Sequence, residues 1–352
     1  MTLRQVLPAP RLRVNLRNSY AAGCLVLLAL LPGSPARADR LFESLEPLEI
    51  TISGPLKQIQ RERDKAVSYK ATLASGEDNF DVELRVRGHK RLDVDVCHNP
   101  PLRVDFEPGA IRKTLYAHQK SLKLVVLCKD TSLYRNYLRT EFLIYRMFNL
   151  LTPLSYKVRW LNVSYVDEEG ESRLEPAFFI ERKSRLAKRN DLETTEVSSI
   201  RVSELEPHSS ALVTLFQYIV SNTDYSIVSS ADDSCCHNAK LLTGEDALYR
   251  PVIYDFDSSG LVDAPYAVPN PSINIAKVTR RLYRGYCAHN DQVAEARLKI
   301  LGMRKELLEL LETDTLVSSR SRPRVIKFFA KSLKMIENDK TWQKKIVDSC
   351  RG

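Results

Sequence analysis

The chain has 352 residues, of which 43% are hydrophobic and 28% are charged, and its formal net charge is +9 at pH 7. This composition is that of a folded protein and excludes an intrinsically disordered chain. Five arginines and no acidic residue precede Asp39, so a chain beginning there would carry only +4, which gives little support to nucleic-acid binding.

The first 38 residues have the pattern of a secretory signal peptide. Arginines between residues 4 and 17 precede an apolar run at residues 21–31, and Ala36-Arg37-Ala38 supplies a cleavage site. We therefore predict an exported protein, periplasmic or secreted, whose mature chain begins at Asp39 and has no stable membrane span. An uncleaved N-terminal anchor is the alternative, although the apolar run is short for a membrane span.

Residues 39–152 predict strands followed by one helix. Alternating or apolar segments bounded by turn residues predict five strands, at residues 48–53, 66–73, 81–88, 102–106 and 121–128. Asp130-Thr131-Ser132 has the composition of a helix start, and apolar residues at helical spacing continue to about residue 151. Two further strands, at residues 156–166 and 174–181, flank a turn and predict a hairpin.

The pattern becomes helical after a basic connector at residues 182–190, which we interpret as a solvated loop. Residues 209–220 are apolar on most faces, as is typical of a buried helix. Residues 274–286 predict a basic helix, and residues 292–313 and 323–347 predict two amphipathic helices. The predicted organisation is a signal peptide at 1–38, a β-rich lobe at 39–185 and a helical lobe at 186–352.

The candidate chemistry lies in residues 222–260. Asp224 follows the buried helix, Asn238 precedes a short apolar strand, and Asp255-Phe256-Asp257 follows a second apolar strand. Metal-dependent phosphoryl transfer needs one carboxylate to orient the attacking hydroxyl, and an Asn oxygen and another carboxylate to hold the magnesium that bridges the phosphates. Taken singly, Asp224 is equally a turn residue that caps backbone amides, and Asp255 an ordinary strand-end residue.

The order of the elements and several motifs resemble the CotH-type atypical protein kinases. The segments that carry the resemblance are residues 128–138, 178–181 and 186–189, Asn222-Thr223-Asp224-Tyr225, and Tyr254-Asp255-Phe256-Asp257. The chain is also similar to a group of exported bacterial proteins of no assigned function, through Arg87-Gly88, Cys97 and Pro100-Pro101-Leu102.

The resemblance implies an α+β, two-lobed protein-kinase-like fold with a β-rich N-lobe and a helical C-lobe. It implies transfer of a phosphoryl group from ATP to the hydroxyl of an unknown protein, with Mg²⁺ or Mn²⁺ as cofactor. Asp224 would be the catalytic-loop aspartate, and Asn238 and Asp255 would be metal ligands, with Asp257 as a further carboxylate. The remaining implied roles concern the phosphates: Lys123 pairs with them, Glu141 holds that lysine, and Arg103 and Arg87 are rival phosphate partners.

Two departures from the kinase pattern favour a second hypothesis: the chain has no G-x-G-x-x-G, and Asp224 and Asn238 lie fourteen residues apart instead of five. Two others are Phe-Asp instead of Phe-Gly after Asp255, and Arg87-Gly88-His89-Lys90-Arg91 in place of the RGNSS block more usual in the CotH-type kinases. The alternative is a catalytically inactive kinase-like scaffold that acts as a secreted or cell-surface binding protein. Taken singly, Lys123 also fits a solvated strand residue, and Glu141 fits equally a surface ion pair with Arg135 or Arg139.

Six cysteines remain after residue 38, and an even number in an exported chain suggests disulfides. Cys97 precedes one strand of the first lobe and Cys128 ends another, so we predict that they are bonded. We also predict that Cys235 or Cys236 pairs with Cys287, which leaves the other cysteine of that pair for Cys350 or free. A zinc site at Cys235-Cys236-His237 and Cys287-Ala288-His289 is disfavoured because the spacing matches no standard ligand pattern.

Overall fold

Seven strands close into a β-barrel in the computed structural model, which describes residues 40–230 and 235–352. The predicted signal peptide lies outside the described residues. The barrel strands are β1 (Leu48–Gly54), β2 (Tyr69–Ser75), β3 (Asp78–Val86), β4 (Leu102–Phe106), β5 (Ser121–Val126), β6 (Val158–Asp167) and β7 (Ser172–Ile180). A short helix, α1 (Leu56–Glu62), joins β1 to β2, and a long one, α2 (Ser132–Leu151), joins β5 to β6.

The barrel closes through its first strand. The order around the ring is β1-β2-β3-β4-β5-β7-β6, and every neighbouring pair is antiparallel except β1 and β6, which are parallel from Leu48 opposite Leu161 to Gly54 opposite Asp167. Strand direction cannot alternate all the way around a ring with an odd number of strands, so at least one neighbouring pair must be parallel. The predicted two-lobed protein-kinase-like fold with a sheet in its N-lobe is therefore wrong. The described chain contains a closed seven-stranded mixed barrel and eight α-helices.

The two faces of the barrel strands belong to different cores. Because side chains alternate along a strand, Leu84, Val104 and Phe179 point into the barrel and are fully or almost fully buried there. On β7, the neighbours Phe178 and Ile180 belong to a second core outside the barrel. That second core is built on α2, whose Phe142 ring lies 5.2 Å from Trp160 and 5.7 Å from Phe178.

The second half of the chain surrounds one central helix. Its elements are α3 (Lys183–Arg189), β8 (Glu193–Thr194), α4 (Pro207–Val220), β9 (Ala239–Thr243), β10 (Tyr249–Ile253), α5 (Asn290–Gly302), α6 (Arg304–Glu312), α7 (Arg322–Glu337) and α8 (Asp339–Trp342). Helix α4 begins at Pro207, and the Glu206 side chain accepts hydrogen bonds from its first free amides. Every residue of α4 from Ser209 to Val220 is buried, as its apolar sequence predicts. Strands β10, β9 and β8 form a small antiparallel sheet beside it.

Two local predictions are wrong. The basic connector is the helix α3, in which Leu186 and Ala187 are buried and Arg189 forms a two-pronged ion pair with Glu181. The predicted lobe boundary at residue 185 falls inside this helix. Residues 274–286 contain no helix, because their arginines bind backbone carbonyls of other segments: Arg281 donates to Phe328 and Arg284 to Thr223 and Tyr225.

Three disulfides use all six cysteines after residue 38. The predicted Cys97–Cys128 bond is confirmed. The prediction that Cys235 or Cys236 pairs with Cys287 is wrong, since Cys235 bonds Cys236 and Cys287 bonds Cys350. The C-terminal segment runs beside Cys287, whose amide donates to the Arg351 carbonyl at 2.9 Å, and this brings Cys350 within bonding distance.

The disulfides leave no cysteine thiolate for the disfavoured zinc site.

None of the helices in the described ranges combines the length and apolar composition needed to cross a lipid bilayer.

Candidate active site

The end of α4 presents Asp224. Ser221 adopts a left-handed conformation (φ 58°) that ends the helix, and its amide and that of Asn222 bond back to the last turn. The buried Asn222 side chain then accepts the Asp224 amide at 3.0 Å, which makes an Asx turn. Arg284 supports the same turn by donating to the carbonyls of Thr223 and Tyr225, at 2.5 and 2.6 Å. The backbone on both sides of Asp224 is thus fixed by hydrogen bonds from Arg284, and its own amide is bound by Asn222.

Two consecutive residues engage the Asp224 carboxylate. His237 Nε2 is hydrogen-bonded to Asp224 Oδ1 at 2.9 Å, and Asn238 Nδ2 donates to Asp224 Oδ2 at 3.2 Å and to its carbonyl at 2.8 Å. Burial alone would raise the pKa of Asp224, but the hydrogen bond and charge of His237, with smaller effects of Ser258 and Lys90, lower it below its ordinary value. The carboxylate is therefore ionised at neutral pH.

The β9–β10 hairpin brings Asn238 and Asp255 to one end of a small sheet. In its register Ala239 lies opposite Ile253, so Asn238 immediately precedes one strand where Asp255 follows the other. The amide of Tyr254 donates to the Asn238 carbonyl at 3.1 Å and continues the pairing by one residue. The side-chain oxygen of Asn238, the atom that a metal would bind, takes part in neither of its bonds to Asp224.

Helix α2 anchors the chain after β10. Asp255 has a left-handed backbone (φ 65°), a conformation that Asp tolerates better than most residues, and its amide donates to the Tyr145 hydroxyl at 2.7 Å. The next residue, Phe256, is fully buried, with its ring 4.8 Å from that of Tyr145. Asp255 and Asp257 therefore flank an aromatic anchor that fixes the segment against α2 and α4.

Glu141, Asp224, Asp255 and Asp257 form an acidic cluster. Burial raises the pKa of Asp257 to about 6, and the charges of Asp255 and Asp224 act in the same direction against Arg91 and the Tyr266 hydroxyl, which donates to Asp257 at 3.2 Å. Burial also raises the pKa of Glu141 well above its ordinary value, and Asp257 and Asp255 add to this rise. A cation bound beside Glu141 and Asp257 would lower both of these raised pKa values.

The donor set fits a magnesium ion only when phosphate oxygens complete it. Within residues 40–230 and 235–352, no group of three or more histidine, cysteine, aspartate or glutamate side chains is arranged to hold a metal. Mg²⁺ is commonly bound by one or two carboxylates together with water and substrate phosphates, at hard oxygen ligands. Asn238, Asp255 and Asp257 have that chemistry, whereas a metal cage made of protein ligands alone does not fit.

Lys123 lies on the outer face of β5, beside its partner Ile180 on β7. Its ammonium nitrogen is 3.8 Å from the centre of the Tyr254 ring, next to Asp255 in the chain. Burial lowers the pKa of Lys123 to about 7, and the positive charge of Arg87 adds to this effect while Asp255 opposes it. Among the ion pairs of the described residues none joins Lys123 to Glu141, and the cations whose charges act on the pKa of Glu141 are Arg91 and Arg87.

The two rival phosphate partners differ in what they already bind. Arg103 is paired with Lys123 across β4 and β5, but its guanidinium forms an ion pair with Asp105 at 3.0 Å. Arg87 follows β3, and its charge acts on both Lys123 and Glu141. Of the two arginines, Arg103 already has a carboxylate partner, which makes Arg87 the more available for an anion.

Sequence reasoning missed several residues of the site. The sequence suggests His237 only as a disfavoured zinc ligand, and no local pattern indicates its contact with Asp224. The sequence indicates Tyr145 only as a position at helical spacing in α2, and it places Arg284 in the predicted basic helix at residues 274–286. Arg91 and Tyr266, which face Asp257, carry no motif that local pattern reveals.

No protein-family model matches this chain, and no curated protein matches it.

Proposed function

We propose that the acidic cluster and Lys123 form the active site of a phosphotransferase, which moves a phosphoryl group from a Mg²⁺-bound nucleoside triphosphate, ATP in the simplest case, to a protein hydroxyl. One observation carries the proposal. Asp224, Asn238 and the Asp255–Asp257 segment, which are separate in the sequence, converge beside a lysine on the facing strand β5. This is the combination that phosphoryl transfer requires.

The residues have distinct roles in the proposed reaction. Asp224, ionised and held by His237, orients the acceptor hydroxyl and takes up its proton as the new oxygen–phosphorus bond forms. The bond from the γ-phosphorus to the bridging oxygen breaks, and the nucleoside diphosphate leaves with the electron pair. Asn238, Asp255 and Asp257 would hold the metal, which neutralises charge on the phosphates. Lys123, on the outer face of β5, would contact the phosphates as an ammonium group, the form that a nearby negative charge favours.

The proposal includes export of the protein to the periplasm or out of the cell. Three disulfides are compatible with an oxidising compartment. A periplasmic enzyme meets little ATP, so transfer there requires another phosphoryl donor, or an acceptor protein modified before export is complete.

A second candidate, a non-catalytic binding protein, is favoured by one observation: none of the ion pairs of the described residues joins Glu141 to Lys123, and the cations that act on Glu141 are Arg91 and Arg87. In this case the acidic cluster is part of a binding surface and holds no metal.

Thermal unfolding of the mature protein with ATP, and with Mg²⁺ or Mn²⁺, separates the two candidates. A ligand that binds only the folded state stabilises it by about 2.7 kcal/mol when its concentration is a hundred times Kd. We expect a metal-dependent rise in Tm that Asp255→Asn and Asp257→Asn each abolish. Glu245→Gln, an exposed charge at the opposite end of the same hairpin, is the matched control and should keep the rise.

No metal-dependent rise with any nucleoside triphosphate would refute the phosphotransferase. A rise retained in both aspartate variants would show that the nucleotide binds elsewhere.

A further inference from the structure

The segment between β3 and β4 carries Arg87-Gly88-His89-Lys90-Arg91 across the candidate site. Gly88 has a φ of +87°, which a side chain would strain, and it turns the chain out of the barrel. The Arg87 amide donates to the Pro101 carbonyl at 2.9 Å. Farther along, Arg63 donates to the carbonyls of Leu92 and Cys97, at 3.1 and 2.8 Å. The segment is thus fixed at both ends.

Its three long cationic side chains act on three parts of the site. Burial is the largest cause of the lowered pKa of Lys123, and the positive charge of Arg87 is the second largest. Lys90 contributes to the lowered pKa of Asp224. Arg91 opposes the burial that raises the pKa of Asp257. The charges of one short segment therefore act on Lys123, Asp224 and Asp257 of the candidate site.

Two of these side chains have unused hydrogen-bond donors. The Nε atoms of Arg87 and Arg91 are buried and have no hydrogen-bond partner. Arg91 is held in place through another nitrogen, Nη2, which donates to the Val126 carbonyl at 2.6 Å. A buried donor without a partner is costly, so an anion that accepts from these groups is favoured.

We propose that residues 87–91 form a phosphate-binding segment, which holds a polyphosphate chain through the guanidinium groups of Arg87 and Arg91. The guanidinium fork matches phosphate oxygens and binds them with charge-assisted hydrogen bonds. Side chains here take the place of the backbone amides of a glycine-rich loop, which this sequence lacks. That the polyphosphate belongs to a nucleotide rests on the proposed function; an inorganic polyphosphate has the same recognised chemistry.

Arg91 also serves the acidic cluster as a counter-charge, and a variant that keeps the charge separates the two roles. Arg91→Lys retains the positive charge but loses the planar fork and Nε. If Arg91 is only a counter-charge, this variant binds phosphate as the parent does. If Arg91 holds phosphate, binding weakens while Tm in the absence of ligand stays close to that of the parent.

Isothermal titration calorimetry with inorganic tripolyphosphate, ATP and adenosine, each with Mg²⁺, tests the inference. We expect Arg87→Gln, Arg91→Gln and Arg91→Lys to weaken tripolyphosphate binding, on the order of tenfold or more for each glutamine variant. Adenosine binding should not change. Arg112→Gln is the matched control, because Arg112 is exposed in the β4–β5 connection, at the opposite end of β4 from Arg87.

The outcomes for the two proposals are distinct. Tripolyphosphate binding that depends on the two arginines, without ATP binding, supports the phosphate segment and refutes a nucleotide-dependent enzyme. ATP binding that is unchanged in all three arginine variants overturns the phosphate segment and leaves the phosphotransferase standing. If the parent binds neither ligand, both proposals fail.

Discussion

The hydrogen bond between Tyr145 and the Asp255 amide gives the sharpest test of how the site is held. Tyr145→Phe removes one oxygen and keeps the ring, which is almost fully buried and packs edge-to-face on Phe256 and Phe178. The change therefore isolates one contact, 2.7 Å long, from the aromatic packing around it.

The expected cost follows from what the variant leaves behind. A partly buried amide without an acceptor loses about 1–3 kcal/mol, with the low end applying where water replaces the hydroxyl. Asp255 also has a left-handed backbone, which persists only where neighbouring contacts impose it. We expect Tyr145→Phe to lower the free energy of unfolding by about 1–3 kcal/mol. A looser Asp255 should also reduce the metal-dependent stabilisation by ATP.

Urea unfolding followed by both fluorescence and circular dichroism measures this difference. The matched control is Tyr165→Phe, since Tyr165 is also buried, on β6, but its hydroxyl has no hydrogen-bond partner. Removing an unpaired buried hydroxyl should leave stability unchanged or raise it. The reasoning is refuted if Tyr145→Phe is neutral, or if both variants cost the same.

Three further predictions concern pH, covalent structure and close packing. Because the folded pKa of Asp257, about 6, lies above the unfolded value, its contribution to stability is present below about pH 4 and is lost as the pH rises through 6. Urea unfolding across this range should show the parent losing up to about 3 kcal/mol relative to Asp257→Asn. Peptide mapping without reduction should recover Cys287 linked to Cys350; replacing both by serine should cost about 4 kcal/mol in thermal unfolding, since the bond closes a loop of 63 residues. Gly260→Ala would place a methyl group 2.5 and 2.8 Å from backbone atoms and should cost about 1–3 kcal/mol, whereas Gly109→Ala, in open space, should be neutral in the same assay.

Local pattern was sufficient for most of the elements. The barrel strands and the helices α2 and α4 coincide, within a few residues at each end, with segments predicted from periodicity and turn residues. Such patterns report which side of an element is buried, and they do so whatever the element packs against. They are misleading where charged side chains satisfy backbone groups, as Arg284 does beside Asp224.

The closure of the barrel was beyond this kind of reasoning. It depends on the parallel pairing of β1 with β6, two strands separated by most of the first half of the chain. Nothing in the sequence of β1 distinguishes a strand at the edge of an open sheet from one paired on both sides, because both alternate in the same way.

The position of Lys123 shows why a wrong prediction of the overall fold can still place a residue on the correct face of its strand. Its side chain points away from Leu122 and Leu124, which are buried inside the barrel, and this alternation is fixed by β5 alone. Lys123 would lie on the outer face of β5 in an open sheet as it does in a closed barrel. Asn238 and Asp255 meet through the β9–β10 register, which the barrel does not determine. The contact that fails, between Lys123 and Glu141, is the one that depends on how α2 sits against β5, and that placement is a property of tertiary packing. The position of a residue on one hairpin or on one strand face therefore follows from local sequence, whereas a contact such as that of Lys123 with Glu141 depends on how separate elements pack.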